Sequence, residues 1–139
     1  MSKPHQTSAE ELVPAKKQMP TFLLELPLVV SPGQARRLRA HLKAARQLYN
    51  AVLSEGQRLL RRMRADPAWQ AARAISLTQP LERRRAFAAL RQQYSFSEYA
   101  LQGVAKGLRC TWIADHVDAV LAQTLTSRAF RALNRVCLG

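Results

Sequence analysis

The sequence predicts a mainly α-helical fold preceded by one β-strand, and three patterns support this. Within residues 20–31 apolar side chains alternate with other residues, whereas from residue 32 onward they recur every three or four positions. A period of two is typical of a half-buried strand, and a period of 3.6 is typical of an amphipathic helix. In addition, Ser, Asp and Pro stand where helix starts are expected. We therefore expect a helical bundle.

The first two segments are a tail and the strand. Residues 1–19 are polar, carry charges of both signs and lack the apolar core of a signal peptide, so we expect a disordered tail. In the strand, Pro27 has no backbone donor, which predicts an edge strand or a bend. The side chains on its apolar face are Phe22, Leu24, Leu26, Leu28 and Val30.

A single strand leaves its own backbone groups unpaired. No second strand is visible in the sequence. The predicted strand must therefore pair either with another chain or with strands beyond Gly139, and the second interpretation is favoured.

A helical segment, residues 32–139, follows the strand. Ser31, Pro32 and Gln34 have the spacing of an N-cap, a first helical residue and a capping-box partner. The first helix should run to about Arg64, with at most an interruption near Gly56. Its predicted apolar stripe contains Leu38, Leu42, Ala45, Leu48, Tyr49, Val52, Leu59, Leu60 and Met63.

Four further helices are predicted, at about 66–75, 81–94, 95–109 and 118–138. Asp66 should cap the second, and Ser95 with Glu98 has capping-box spacing at the fourth. Gly139 stands where a C-terminal capping glycine belongs. The predicted apolar stripe of the last helix contains Val120, Leu121, Leu125, Ala129, Leu133, Val136 and Cys137.

The charge of the chain points to a polyanionic partner. Residues 31–139 carry 19 Lys and Arg but only six Asp and Glu, which accounts for the whole net charge of +13. Seventeen of the 22 cations are Arg, whose planar fork suits phosphate. Such an excess costs stability through self-repulsion, and a nucleic acid would relieve it. The alternative is a merely solvated basic surface.

Residue patterns for catalysis, metal binding and membrane insertion are not found in the sequence. It contains no GxSxG, P-loop or GxGxxG motif, no ligand spacing around its His and Cys residues, and no apolar membrane span. Asp115, His116 and Asp118 could be drawn as ligands, but capping already explains an Asp near a helix start. We therefore expect no metal, no cofactor and no membrane partner. Cys110 and Cys137 are predicted to be free, buried thiols in the cytoplasm.

Arginine clusters are the candidate nucleic-acid contacts. On the last helix, Arg128, Arg131 and Arg135 recur at a spacing of three to four and should form one stripe. Arg83, Arg84 and Arg85 are consecutive and should wrap around their helix. Tyr49, Trp69, Tyr94, Tyr99 and Trp112 could stack on bases, although core packing is the more frequent role. The predicted phosphate-binding residues are Arg46, Arg58, Arg61, Arg62, Arg128, Arg131 and Arg135.

The segment ARQLYNAVL, residues 45–53, resembles the N-terminus of TnpB-type (OrfB) insertion-sequence transposases, which are RNA-guided DNA endonucleases. Further matches are FSEY at 96–99, WIADH at 112–116 and SRAFRA at 127–132, so the resemblance covers about residues 20–139. The family motif would include Tyr49 and Asn50, expected to pack and cap the first helix, and Ala129 and Phe130.

The resemblance implies a helical recognition lobe preceded by one strand of an incomplete wedge barrel. The lobe would bind guide RNA and the guide–target heteroduplex through backbone charge and shape. The family's remaining barrel strands, its RuvC-like nuclease with three carboxylates and its zinc ribbon would follow Gly139. The expected interpretation is thus an N-terminal fragment without catalytic residues, whose parent has a further C-terminal half. The alternatives are a free-standing helical DNA-binding regulator and a helical interaction protein with incidental charge.

Overall fold

Five α-helices and a 3₁₀ turn make up most of residues 23–138, the part of the chain that the computed structural model describes. The mainly helical fold class is therefore confirmed. The predicted tail, the first residues of the strand segment and the Gly139 cap lie outside the described residues. The helices are α1 (Pro32–Ala65), α2 (Pro67–Ala74), α3 (Pro80–Gln93), α4 (Glu98–Leu108) and α5 (Ala119–Leu138), with the 3₁₀ turn at Trp112–Asp115.

Residues 23–30 have no regular secondary structure, and no strand is assigned elsewhere in 23–138. Their apolar side chains are exposed on both sides of the proposed alternation, with Leu24 69% exposed and Val29 93% exposed. A strand needs a partner for its backbone groups, and the described residues provide none. The strand therefore stays a prediction.

Local capping sets the helix boundaries much as the sequence predicts. The Ser31 hydroxyl accepts from the Gln34 backbone N–H at 3.2 Å, while the Gln34 side chain accepts from the Ser31 N–H at 2.8 Å. This capping box starts α1, which continues without interruption past Gly56 to Ala65. The Asp66 carboxylate then accepts from the Ala68 N–H at 2.8 Å and starts α2 after a single-residue turn.

The predicted cap of α4 is wrong. Ser97, not Ser95, caps this helix, because its hydroxyl accepts from the Ala100 N–H at 3.1 Å. Ser95 instead ends α3: its φ of 52° lies in the left-handed region. The N–H groups of Ser95 and Phe96 then bond back to the carbonyls of Gln92 and Arg91, as in a Schellman motif.

The core lies between α1, α4 and α5. His41 of α1 contacts His116 just before α5, and Arg64 donates to the Val136 carbonyl, so α1 and α5 run in the same direction. α4 runs antiparallel to α5, since Glu98 contacts Ser127 and Gln102 contacts the carbonyl of Gln123. The largest fully buried side chains include Phe96, Leu48, Met63, Leu101 and Val52.

Gly56 is buried where these three helices meet. A Cβ at this position would lie 2.2 Å from a methyl carbon of Leu133 and 3.4 Å from one of Leu101. Both leucines are themselves buried, so they have little room to withdraw. The glycine thus permits the close approach of α5 and α4 to α1.

The predicted apolar stripes are wrong at the start of α1 and at both ends of α5, where Val136 is 58% exposed. Leu38 and Leu42 are 45% and 61% exposed, because the first turns of α1 extend beyond the start of α5. On α5 the buried face begins at Ala122 and Thr126 rather than at Val120, which is 71% exposed. Thr126 is accommodated because its hydroxyl donates to the Ala122 carbonyl at 2.8 Å.

α2 and α3 form a pair that packs on the C-terminal end of the bundle. The Tyr94 hydroxyl donates to Asp66 at 2.7 Å, which ties the end of α3 to the α1–α2 turn. Arg91 donates to the Asn134 side chain at 2.9 Å, which ties α3 to α5. No helix among residues 23–138 combines the length and apolar composition that crossing a lipid bilayer requires.

Candidate nucleic-acid interface

The outer face of α5 carries the predicted arginine stripe. Arg128, Arg131 and Arg135 are all exposed. At 100° per residue they lie opposite the buried face formed by Ala122, Thr126, Ala129, Leu133 and Cys137. The three α-carbons span about 10 Å along the helix axis. We call Arg128, Arg131 and Arg135 the α5 stripe.

A second row of cations follows the outer face of α1. Arg36, Arg39, Lys43, Arg46 and Arg61 are exposed and lie on one helix face, opposite buried Leu48, Val52 and Met63, with 14 residues between Arg61 and the other four. The row spans about 37 Å at a rise of 1.5 Å per residue. We call these five residues the α1 row. The sequence prediction included Arg46 and Arg61 but not Arg36, Arg39 and Lys43. Their spacing of three and four residues could have shown that they lie on the same helix face.

The two rows point away from each other. α1 and α5 pack through their buried faces, where Leu133 of α5 lies against Gly56 of α1. Each row lies on the face opposite that contact. The structure therefore does not bring the seven predicted arginines into one site.

The two remaining predicted arginines, Arg58 and Arg62, already have partners within the chain. The Arg58 guanidinium donates to Glu55, with Nε 2.8 Å from one carboxylate oxygen. This hydrogen bond lowers the pKa of Glu55 below its usual range and raises that of Arg58. The Arg62 guanidinium lies 5.9 Å from the centre of the Tyr94 ring. These contacts make Arg58 and Arg62 weaker candidates than the residues of the two rows.

Most carboxylates in the described part of the chain already accept hydrogen bonds from other groups of the chain. Asp66 and Asp118 accept from backbone N–H groups at helix starts, and Glu98 accepts from the Ser127 hydroxyl. Among residues 23–138, Glu55 with Arg58 is the one ion pair. Within residues 23–138 the α5 stripe and the α1 row therefore form no ion pair, although Asp115 lines the same surface pocket as Arg36.

The residues that carry the resemblance to TnpB-type proteins mostly occupy packing positions. Tyr49 and Phe130 are half-buried against the core, and Ala129 is fully buried. Asn50 is exposed in the middle of α1, so the expectation that it caps this helix is wrong. Of the aromatic side chains considered for stacking, Trp69 is buried, whereas Tyr99 and Trp112 are 89% and 46% exposed.

Asp118 has the capping role that the sequence predicts. Asp118 caps α5, since its carboxylate accepts from the Leu121 N–H at 2.7 Å. Within residues 23–138 no group of three His, Cys, Asp or Glu side chains is arranged to hold a metal ion.

Cys110 and Cys137 are free thiols, but only Cys137 is buried, so the prediction of a buried thiol is wrong for Cys110. Its position at the end of α4 leaves it exposed.

Comparisons of this chain with protein-family models, with curated proteins and with solved structures find no match.

Proposed function

We propose that this chain is a nucleic-acid-binding helical lobe of the TnpB type, which holds guide RNA and an RNA–DNA heteroduplex through their phosphate backbones. The observation that carries the proposal is the α5 stripe: three exposed arginines on one helix face, opposite the core, without an ion pair among residues 23–138. Arginine forks on a rigid helix suit a row of phosphates.

The distribution of charge supports binding to the backbone rather than reading of bases. Cations occupy outward faces of both α1 and α5, so they are spread over two helices rather than gathered on one recognition helix. Phosphate contacts fix position and orientation but carry no sequence information. In an RNA-guided protein, base pairing supplies the sequence specificity. Because the α1 row and the α5 stripe diverge, they would contact different strands or segments of the bound nucleic acid.

The exposed apolar residues support the TnpB-like part of the proposal. Leu24, Leu26 and Leu28 are exposed in the segment before α1, and Leu38 and Leu42 are exposed on its first turns. A wedge barrel that included residues 20–31 would cover such side chains and pair the backbone of that segment. The free thiols of Cys110 and Cys137 fit a reducing compartment, the cytoplasm.

Salt-dependent binding tests the proposal. Purified protein is titrated against labelled single-stranded RNA, duplex DNA and an RNA–DNA hybrid of random sequence, by fluorescence anisotropy across a range of salt concentrations. If about six phosphates are neutralised, log K should fall against log salt with a slope of about −4 to −5. A slope near zero for all three nucleic acids would contradict the proposal and favour a helical interaction protein with incidental charge.

A sequence-specific DNA-binding regulator is the second candidate, supported by the single-residue turn at Asp66 between α1 and α2 and by the core that the bundle builds for itself. Selection of DNA sequences from a random pool distinguishes the two. Enrichment of a short motif that resists excess random competitor would support the regulator. Equal binding of unrelated sequences supports the backbone-binding lobe.

A further inference from the structure

A cavity of about 430 Å³ lies between α2, α3 and the end of α5. Its apolar walls include Leu77, Phe87 and Ala88, and Trp69 packs edge-to-face against Phe87 with the ring centres 4.9 Å apart. Small-molecule sites usually measure about 300–1,000 Å³, so this cavity is large enough for one flat ring system with its substituents.

Four arginines surround this cavity, and two of them are fixed by other contacts. Arg83 donates to the carbonyls of Arg73 and Ile75 at 3.2 and 3.0 Å, and Arg91 donates to Asn134. Arg73 and Arg84 are exposed, and their guanidinium groups have no hydrogen bond within the described chain. None of the described carboxylates lines the cavity. Arg73 and Arg84 therefore leave positive charge at the rim for an anion.

We propose that this cavity receives a single unpaired nucleotide of the bound nucleic acid. The base would lie against the apolar walls at Leu77 and Ala88, next to the Arg83 guanidinium that covers Phe87, and its phosphate would lie between Arg73 and Arg84. An apolar interior with guanidinium groups at its rim matches the two parts of a nucleotide, a flat ring and a phosphate. This inference rests on the proposed nucleic-acid binding. It adds that the protein prefers a nucleic acid with a bulged nucleotide or an unpaired end.

A paired base cannot enter the cavity without leaving its duplex. Extrusion costs free energy for a paired base, and it costs least for a base that is already unpaired. The cavity should therefore favour a duplex with a one-nucleotide bulge over the fully paired duplex of the same length. RNA and DNA share the required chemistry, and separate RNA and DNA probes distinguish the source of the nucleotide.

The test uses two probes, a fully paired duplex and the same duplex with a single bulged 2-aminopurine, each prepared as RNA and as DNA. We expect the wild-type protein to bind at least one bulged duplex several-fold more tightly, with a rise in 2-aminopurine fluorescence as the base leaves the stack. Ala88→Phe fills the cavity from an exposed position, so it should abolish the preference without weakening binding of the paired duplex. R73Q/R84Q should also abolish the preference, whereas the charge-matched control R85Q/K106Q should keep it.

Three outcomes would overturn the inference. Equal affinity of wild-type protein for bulged and paired duplexes, with the salt dependence intact, removes the nucleotide pocket and leaves the proposed function standing. Retention of the full preference in Ala88→Phe, with the variant shown by circular dichroism to be folded, places the preference elsewhere on the protein. Failure to bind any of these duplexes would also overturn the inference, and it would remove the proposed function only if single-stranded RNA and the RNA–DNA hybrid were not bound either.

Discussion

Helices α3 and α5 carry the same number of clustered arginines, yet the structure uses them differently. Arg83, Arg84 and Arg85 are consecutive, so their side chains spread around α3, and Arg83 turns inward to bond carbonyls at the end of α2. The α5 stripe has a spacing of three and four, so all of its arginines share the outer face. Spacing along the helix thus decides whether arginines can form one surface.

The α3 and α5 arginines also differ in the groups that they contact within the chain. The Arg83 guanidinium also covers the Phe87 ring, 5.7 Å from its centre, so it belongs to the packing of the α2–α3 pair. Within residues 23–138 the α5 stripe has no such commitments. An arginine with internal hydrogen bonds contributes to stability, whereas one without them is available to a phosphate. Counting arginines in a sequence does not separate these two roles.

The largest expected effect comes from removing the α5 stripe. The variant R128Q/R131Q/R135Q should lower the salt slope by about three units, one for each lost phosphate contact. At 0.1 M salt this corresponds to a loss of affinity of roughly two to three orders of magnitude. Helicity should be unchanged, because the three side chains lie opposite the core. Anisotropy titration and circular dichroism provide the two measurements.

The matched control removes three scattered cations. Arg37, Arg85 and Lys106 lie on α1, α3 and α4, are exposed, and have no side-chain hydrogen bond within the described residues. R37Q/R85Q/K106Q loses the same charge and should reduce affinity much less than the stripe variant. Equal losses of affinity in the two triple variants would show that binding depends only on the net charge of the protein. The difference in arginine spacing between α3 and α5 would then have no effect on binding.

A substitution at Gly56, where α1 contacts the buried face of α5, should change the stability of the protein and leave nucleic-acid binding unchanged. Gly56→Ala gains helix propensity but forces buried Leu133 to move, and overpacking of this kind costs about 1–3 kcal/mol. We expect a net destabilisation of about 1–2 kcal/mol, measured by urea unfolding, with RNA affinity unchanged. Gly103→Ala in α4 is the control: no atom lies within 4 Å of its added Cβ, so it should stabilise the protein by up to about 1 kcal/mol.

Arg83→Gln should show that the α3 cluster is partly structural. The change removes both bonds to the C-terminal carbonyls of α2 and the packing over Phe87, which should cost about 1–2 kcal/mol. Arg85→Gln removes the same charge from an exposed position and should leave the urea midpoint nearly unchanged. Indistinguishable midpoints for the two variants would contradict the structural role of Arg83.

The smallest effect concerns Tyr94 and depends on pH. The hydrogen bond from Tyr94 lowers the pKa of Asp66, so its stabilising contribution is present above the ordinary Asp pKa of about 4 and is lost as the pH falls. The bond to Asp66 raises the pKa of Tyr94, so that contribution is lost again as the pH rises beyond about 10. Tyr94→Phe should lower Tm slightly at neutral pH, and its difference from the wild type should shrink at both extremes. A difference that is constant with pH would indicate lost packing instead.

The sequence alone determines the helices and most of their boundaries, because these depend on local rules. The Ser31–Gln34 capping box and the Asp66 cap use bonds between residues two or three positions apart, which the chain displays directly. The alignment of Arg128, Arg131 and Arg135 on one face follows from the helical period alone. The resemblance to TnpB-type proteins is likewise a property of the sequence, and it stays a prediction.

Tertiary structure decides everything that depends on which helices meet. It leaves Leu38 and Leu42 exposed because α5 begins too late to cover them, and it places Ala122 and Thr126 rather than Val120 in the core. It also divides the predicted arginines between diverging faces and brings Arg73 and Arg84 to one cavity across a loop. A helical period fixes the direction of a side chain around its own axis, but only packing between helices decides whether that direction leads to the core, to a pocket or to solvent.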